Sequence, residues 1–283
     1  MGRAAEALGL SQPALSLSLR RLERSVQAKL VKRTPKGVEL TMAGATLLTQ
    51  IDRLRIVRDD VVREVADLGA GNAGYLRVAT GAHFSLHMTS VAGTALLKDA
   101  PRLTLKINVM EYESLIAALC HGELDLGIST LQSSRHEDIT EEHLYDEEFV
   151  VYACANHRLA KRKNLTLSDL SAERWAVFGP HSSSTRSLKS AFVDAGLPAP
   201  RIALETASMP LRNQIVASSE LLSFTARRVV RLAAPQYQFA ELRVKELEYV
   251  RRVGLLYRNN AYLSAAARRF IEILKKTTQE TIA

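Results

Sequence analysis

Arg3, Arg20, Arg21, Arg24, Lys29, Lys32, Arg33 and Lys36 crowd into the first 41 residues, where only Glu6, Glu23 and Glu39 oppose them. The formal charge is +8 over 283 residues. Most of that excess therefore lies in the first seventh of the chain, and a basic surface concentrated in this way suits a polyanion. A second chemistry-bearing group is the run His181, Ser182, Ser183, Ser184 and Thr185 at a predicted helix start. Hydroxyls and backbone N–H groups there suit a carboxylate or another anion; the plainer reading is an N-cap with polar loop residues.

Other constellations lead nowhere catalytic. His83 and His87 stand at i, i+4 on a possible helix, a spacing that can put two metal ligands on one face. No HExxH pattern or cysteine cluster completes such a site, so no metal is expected. GxSxG and Walker A patterns are missing, and no nucleophile–base pair stands out, so an enzyme is not expected. Residues 69–74 (GAGNAG) formally match GxGxxG, but a predicted helix precedes them and a strand follows, the reverse of the nucleotide-binding order. A flexible hinge and no cofactor are expected. Cys120 and Cys154 lie far apart in apolar surroundings and read as small core residues.

The elements that must hold the basic cluster are legible. Residues 3–8 (RAAEAL) favour helix, Gly9 can end it, and Ser11 is a good N-cap with Pro13 in the first turn, where a missing N–H does no harm. Leu15, Leu19, Leu22 and Val26 stack into one apolar stripe on the second helix. Pro13, Leu17, Arg20, Arg21 and Arg24 fall on the opposite face, with Ser16 beside them. Residues 30–34 and 38–41 read as short strands around the turn Pro35, Lys36 and Gly37. A helix-turn-helix followed by a basic hairpin is a winged helix-turn-helix, which lays its second helix in the DNA major groove and its wing on backbone or minor groove.

From Thr41 the spacing predicts a long helix to about Leu68. Leu47, Ile51, Leu54, Arg58, Val61, Val65 and Leu68 form a heptad seam broken only by Arg58, suited to helix-on-helix dimerisation or to packing on the helix's own domain. Beyond residue 74 strands (75–81, 103–109, 124–130, 148–154, 175–178, 202–206, 221–224, 253–257) alternate with helices (85–97, 114–121, 184–195, 210–218, 261–276). The fold class expected is α/β with helices covering a largely parallel sheet. At 47% hydrophobic and 24% charged residues the chain can bury real cores and is neither disordered nor low-complexity. No apolar stretch approaches the ~18 residues of a membrane span, and the N-terminus has no signal-peptide pattern, so a cytoplasmic protein with no membrane partner is expected.

SQPALSLSLRRLE (11–23) and KRTPKGVELTMAG (32–44) closely resemble the DNA-binding region of LysR-type transcriptional regulators, and the order of segments downstream extends the resemblance over the whole chain. It implies that Ser11, Gln12, Pro13, Ser16, Leu17, Arg20 and Arg21, with Arg33, Thr34 and Lys36 of the wing, address double-stranded promoter DNA. By physical role Gln12 can pair with an adenine edge or a phosphate, Ser16 is a short adaptable donor, and the arginines neutralise phosphate. Leu17 stands where many members have a polar or basic residue; it can meet a thymine methyl or simply be tolerated.

GELDLGI (122–128) and the turn at 156–160 (NHRLA) look like the family's effector domain, which is similar to periplasmic solute-binding proteins. The resemblance implies an incomplete winged domain (1–41), a linker helix and hinge (42–71), a first effector lobe (72–163 and 251–283) and a second (164–250). A small-molecule effector would lie between the lobes. Open α/β sheets bind ligands beyond the carboxyl ends of their strands. By that rule and by resemblance the candidates are Thr80, Gly81, His83, Ser129, Thr130, Ser182, Ser183, Ser184, Thr185, Thr206, Phe224 and Thr225. A homodimer or homotetramer in contact with RNA polymerase is implied as well. The alternative is a solute-binding protein whose DNA-binding region is non-functional.

Family members carry a further helix of about fifteen to twenty residues before the RAAEAL segment, covering the stripe formed by Leu8, Leu15, Leu19 and Leu22. A start site placed too far downstream is expected, ahead of a shortened chain or a natural variant with impaired DNA binding. The DNA before the Met1 codon would then encode, in frame, a segment like LxxFxxVAxxxS. The chain as it stands is expected to bind an operator weakly, because a small domain with an incomplete core loses stability.

Overall fold

The computed structural model describes residues 2–35, 37–70, 74–84, 88–132, 134, 136–179 and 182–282, and the chain falls into two compact units, 1–63 and 64–283.

In the first unit, helix α1 (Gly2–Ala7) and helix α2 (Gln12–Ser25) flank a tight turn in which Gly9 takes φ +65°. That left-handed conformation costs glycine nothing and ends α1. Ser11 caps α2, its Oγ accepting from Ala14 N at 3.3 Å, with proline in the first turn as expected. Strands β1 (Val31–Thr34) and β2 (Gly37–Leu40) form the antiparallel wing, and helix α3 follows (Met42–Ala70). Leu15 and Leu19 are half-buried, whereas Leu8 and Leu22 stay exposed: among the described residues no element lies across that end of the stripe.

One knot ties α2, the wing and α3 together. Glu23 accepts from Leu30 N at 2.9 Å and from Lys29 Nζ at 2.8 Å. Thr41 donates its hydroxyl to Lys29 O (2.6 Å), gives its N–H to Leu30 O (2.9 Å) and accepts from Gly44 N (3.0 Å). Lys29 and the amides of Leu30 and Val31 hold the Glu23 carboxyl below its ordinary range.

The second unit is α/β. Its elements are β3 (Tyr75–Thr80), α4 (Ala82–Phe84), α5 (Ser90–Asp99), β4 (Thr104–Val109), α6 (Tyr112–Cys120), β5 (Leu126–Thr130), β6 (Ile139–Cys154), β7 (Arg174–Val177), α7 (Ser183–Asp194), β8 (Arg201–Glu205), α8 (Met209–Ala217), β9 (Leu222–Ala226), α9 (Arg227–Ala233), β10 (Phe239–Leu242), β11 (Tyr249–Arg258) and α10 (Ala265–Ile282).

The expected strands are present, but the sheet is mixed and not largely parallel. The order is β4-β3-β5-β11-β6-β9-β7-β8, with β10 also on β6. Parallel groups at the two ends (β4-β3-β5 and β9-β7-β8) are joined by the long antiparallel strands β6 and β11. Strand β6 begins at Ile139, nine residues before the expected 148, because the charged stretch 140–148 is held by its register with β11 and not by apolar alternation. The β6–β11 register shifts between Val253 and Gly254, where a β-carbon on Gly254 would lie 2.7 Å from Glu142 O. Only glycine admits that approach. Helix α9 and strand β10 lie in sequence from which neither was expected.

Two main cores flank the long strands. Leu76, Val78, Met88, Leu126, Ile128, Tyr145, Val253 and Phe270 belong to one. Phe149, Val151, Leu159, Trp175, Phe178, Phe192, Leu222 and Phe224 belong to the other. Residues 149–160, placed by sequence with the first lobe, include Phe149, Val151, Ala153 and Leu159, which share a core with side chains from residues 165–247.

Candidate nucleic-acid face and candidate effector cleft

Helix α2 presents Gln12, Pro13, Leu17, Arg20, Arg21 and Arg24 outward, all exposed, with Ser16 half-buried beside them. The Ser11 hydroxyl is committed to its cap, and Arg20 Nε donates back to Ser16 O at 3.3 Å. On the wing Arg33 is exposed, while Thr34 is half-buried and donates to Gly37 O and Glu39 Oε1, both at 3.4 Å. Lys36 lies outside the described residues. Lys29 and Lys32 are spent on Glu23 (2.8 Å) and Glu39 (3.3 Å). Among the described residues Arg20, Arg21, Arg24 and Arg33 have no carboxylate partner, so the uncompensated charge sits on the outer face of α2 and on the wing.

In the second unit His83, just beyond β3, bridges to the other core. Its Nδ1 lies 2.8 Å from Thr225 Oγ1 at the end of β9, and its Nε2 lies 3.3 Å from Ser184 Oγ on α7. The ring packs edge-on against Phe178 and Phe149, centroids 4.9 and 5.3 Å away. At the start of α7 Ser182 caps the helix, accepting from Thr185 N at 3.3 Å and donating to Thr185 Oγ1 at 2.8 Å, while Thr185 donates to Phe178 O. The N-cap reading of the 182–185 run is therefore realised for Ser182; His181 is outside the described residues.

Helix α8 adds a residue that the sequence did not single out. Arg212 is fully buried, its guanidinium carbon 4.2 Å from the centroid of the Phe178 ring. Burial first, and then the charges of Arg212 and Arg251, push the His83 imidazole well below its ordinary range, so the ring is neutral at pH 7.

The other candidates are not gathered here. Thr80 is buried and tied to Thr89 (3.2 Å); Ser129 and Thr130 are buried at the end of β5, next to β3. Among the described residues no hydrogen bond joins these three to His83. The Thr206 hydroxyl accepts from Ser208 N (3.1 Å) and so shapes the entry to α8, and Phe224 is a core residue. His87 lies outside the described residues, and among those described no cluster of metal-ligating side chains occurs.

Two family profiles match the chain. The "Bacterial regulatory helix-turn-helix protein, lysR family" covers residues 1–45, and the "LysR substrate binding domain" covers residues 69–279. The chain belongs to the LysR family. It is similar to two uncharacterised HTH-type transcriptional regulators of Escherichia coli K12. One is YnfL, 31% identical over 64% of this chain and 61% of YnfL. The other is YdcI, 27% identical over 98% of this chain and 90% of YdcI. The Synechocystis CcmR regulatory domain, solved in complex with 2-PG, shares the fold of the second unit: TM-score 0.64, 20% identity, 72% of this chain and 97% of that one.

In LysR terms the first unit is the helix-turn-helix and the second the effector-binding domain. Among the described residues no helix is long and apolar enough to cross a membrane. Arg212 escaped the sequence reading because an arginine in a short helix usually marks a solvated face; only packing against Phe178 buries it. The His83 bridge spans 142 residues of sequence to Thr225 and has no local signature.

The neutral His83 gives a pH prediction. Its folded pKa lies below its unfolded value of about 6.5, so the unfolded chain takes up the proton first as pH falls. Stability should drop as pH falls below about 6.5, with a slope of at most ~1.4 kcal/mol per pH unit. Glu147, buried and pushed up to about 7, acts in the opposite sense over part of this window. The difference between wild type and His83→Gln in urea unfolding between pH 5 and 7 isolates the histidine. Parallel pH profiles would contradict its assignment as neutral.

Proposed function

We propose that the chain is a LysR-type regulator that reads promoter DNA through α2 and the wing, and that a small-molecule effector bound where His83 meets Thr225 and Ser184 alters that contact. The unpaired arginines along one face of α2, in a unit matching the family's helix-turn-helix profile, carry the DNA reading. Lobe boundaries near residues 147 and 250, pairing of two chains through α3 and contact with RNA polymerase at the promoter complete it. The effector must favour one arrangement of the DNA-binding units over another, since equal affinity for both regulates nothing.

The test is anisotropy titration of a labelled duplex from the intergenic DNA beside its own gene, at several salt concentrations. Arg20→Ala with Arg21→Ala should lower the slope of log K against log salt by about 0.9 for each phosphate no longer neutralised. Gln12→Ala should instead cost about 1–3 kcal/mol of discrimination against a scrambled duplex. Unchanged salt slopes in the double-arginine variant would remove α2 from the interface.

A further inference from the structure

Beside His83 lies a fully buried charge that no carboxylate neutralises among the described residues. Nε, Nη1 and Nη2 of Arg212 all lack a hydrogen-bond partner. The Tyr152 hydroxyl donates its proton to Asn213 Oδ1 at 2.9 Å, and its oxygen lies near enough to Arg212 to favour the charged form; that group is neutral, and among the described residues no carboxylate pairs with this guanidinium. The face of Phe178 offers a cation–π contact, which offsets only part of what removing a guanidinium from water costs. Buried charges ordinarily come with a partner ion.

The surroundings suit such a partner. The Phe178 ring that carries Arg212 also carries His83, and the Ser184 and Thr225 hydroxyls stand on the two nitrogens of that imidazole. The start of α7, with its partial positive charge, lies at Ser182 and Ser183. A second cation stands nearby: Arg251 Nη2 donates to Ser183 O at 2.8 Å and to Ser187 Oγ, which fixes its position and leaves its charge to add to the positive field.

Resting on the reading that this cleft holds the effector, we propose that Arg212 recognises it, and that the effector is a monocarboxylate whose two oxygens accept the fork of the guanidinium. Arg212 offers a whole guanidinium fork, and a carboxylate supplies one negative charge in the planar geometry that such a fork binds in bidentate fashion. A tetrahedral phosphate dianion fits the planar fork less closely and has a second charge to strip of water on entering this buried site.

The full chain tests this by thermal unfolding followed through Trp175, the chain's single tryptophan, which is buried in the second unit. The probes are sodium acetate, sodium benzoate, benzamide and inorganic phosphate at pH 7.5, with sodium chloride holding the ionic strength constant. A carboxylate should raise the midpoint of wild type, benzamide should not, and phosphate should act more weakly than the better carboxylate. In Arg212→Met the unliganded midpoint should rise, because an unpaired buried charge has gone, and the apparent Kd for the carboxylate should weaken by about thirtyfold or more. Equal responses of wild type and Arg212→Met, no response of wild type to either carboxylate, or a stronger response to phosphate would overturn the assignment. If Arg212→Met does not fold, Arg212→Lys decides: it keeps the charge but loses the fork, and a response equal to wild type counts against the inference. Thr225→Val separates the two levels. A response lost there but kept in Arg212→Met leaves the cleft reading standing without Arg212; a response kept in both removes both.

Discussion

Gly44→Ala should unfold the DNA-binding unit while leaving the effector domain intact. A β-carbon at position 44 would sit 2.0 Å from Leu30 O and 2.9 Å from Leu30 C, far inside contact distance and against backbone, which no side-chain rotation can relieve. Leu30 O is also the acceptor for Thr41 N, so moving it away breaks the bond that starts α3. The Thr41 hydroxyl bonds to Lys29 O and Gly44 N depend on the same spacing, as does the Glu23 contact to Leu30 N. Overpacking against backbone costs about 3 kcal/mol or more, a large share of what a unit of this size can hold. The measurement is urea unfolding followed by far-UV circular dichroism and by tryptophan emission together. Circular dichroism reports both units, and Trp175 only the second. In the variant the dichroism should lose an early component and DNA binding should vanish, with the emission midpoint unmoved. Thr41→Val, which removes hydrogen bonds without a clash, should cost only about 1–2 kcal/mol. A Gly44→Ala chain that binds DNA like wild type would show that the approach of α3 to Leu30 is dispensable.

That close approach also shows how far the sequence could be read. The segment 40–44 (LTMAG) was legible as part of a family pattern, and the structure supplies the physical reason for two of its residues: threonine to bond across to 29 and 44, and glycine because Leu30 O leaves no room. The Ser11 cap, the turn at Gly9 and the wing were readable because their signals are local, lying within a few residues of the feature they create. The charged half of β6 was not readable. The stretch TEEHLYDEE has no apolar alternation, and its strand conformation is imposed by β11, about a hundred residues later. The direction of the sheet was lost for the same reason: alternation of strands and helices suggests parallel neighbours, whereas β6 and β11 run antiparallel through the middle. In the cleft the hydroxyls were found from strand ends, but the residue with the greatest unmet electrostatic demand, Arg212, was not. Burial of an arginine is a tertiary fact, set by Phe178 and the elements around α8, and no spacing in the sequence announces it.

Leu54→Glu combined with Val61→Glu should dissociate the protein into monomers without destabilising the monomer. In the single chain Leu54 is 69% exposed, and Ile51, Val61 and Val65 of the same heptad seam are exposed too. Leu68, the last seam residue, lies among side chains that are not described. These apolar groups gain little from the chain's own fold, so replacing them leaves its packing untouched; each is worth about 1.5–3 kcal/mol when fully buried against a second helix. A dimer through this seam would have to bury four new carboxylates, at a cost of several kcal/mol. Sedimentation at micromolar concentration should show the variant as a monomer, with a tryptophan unfolding midpoint equal to that of the wild type at dilution. Arg58 is the informative control. It interrupts the seam with its side chain 68% exposed and paired to the adjacent Asp59 at 2.7 Å. A polar group at one core position of a coiled coil lowers stability but fixes register and strand number. Arg58→Leu should therefore tighten self-association and broaden the range of species formed, while the double-glutamate variant abolishes it. If the double variant stays associated, the subunits meet through another surface and α3 packs within its own chain.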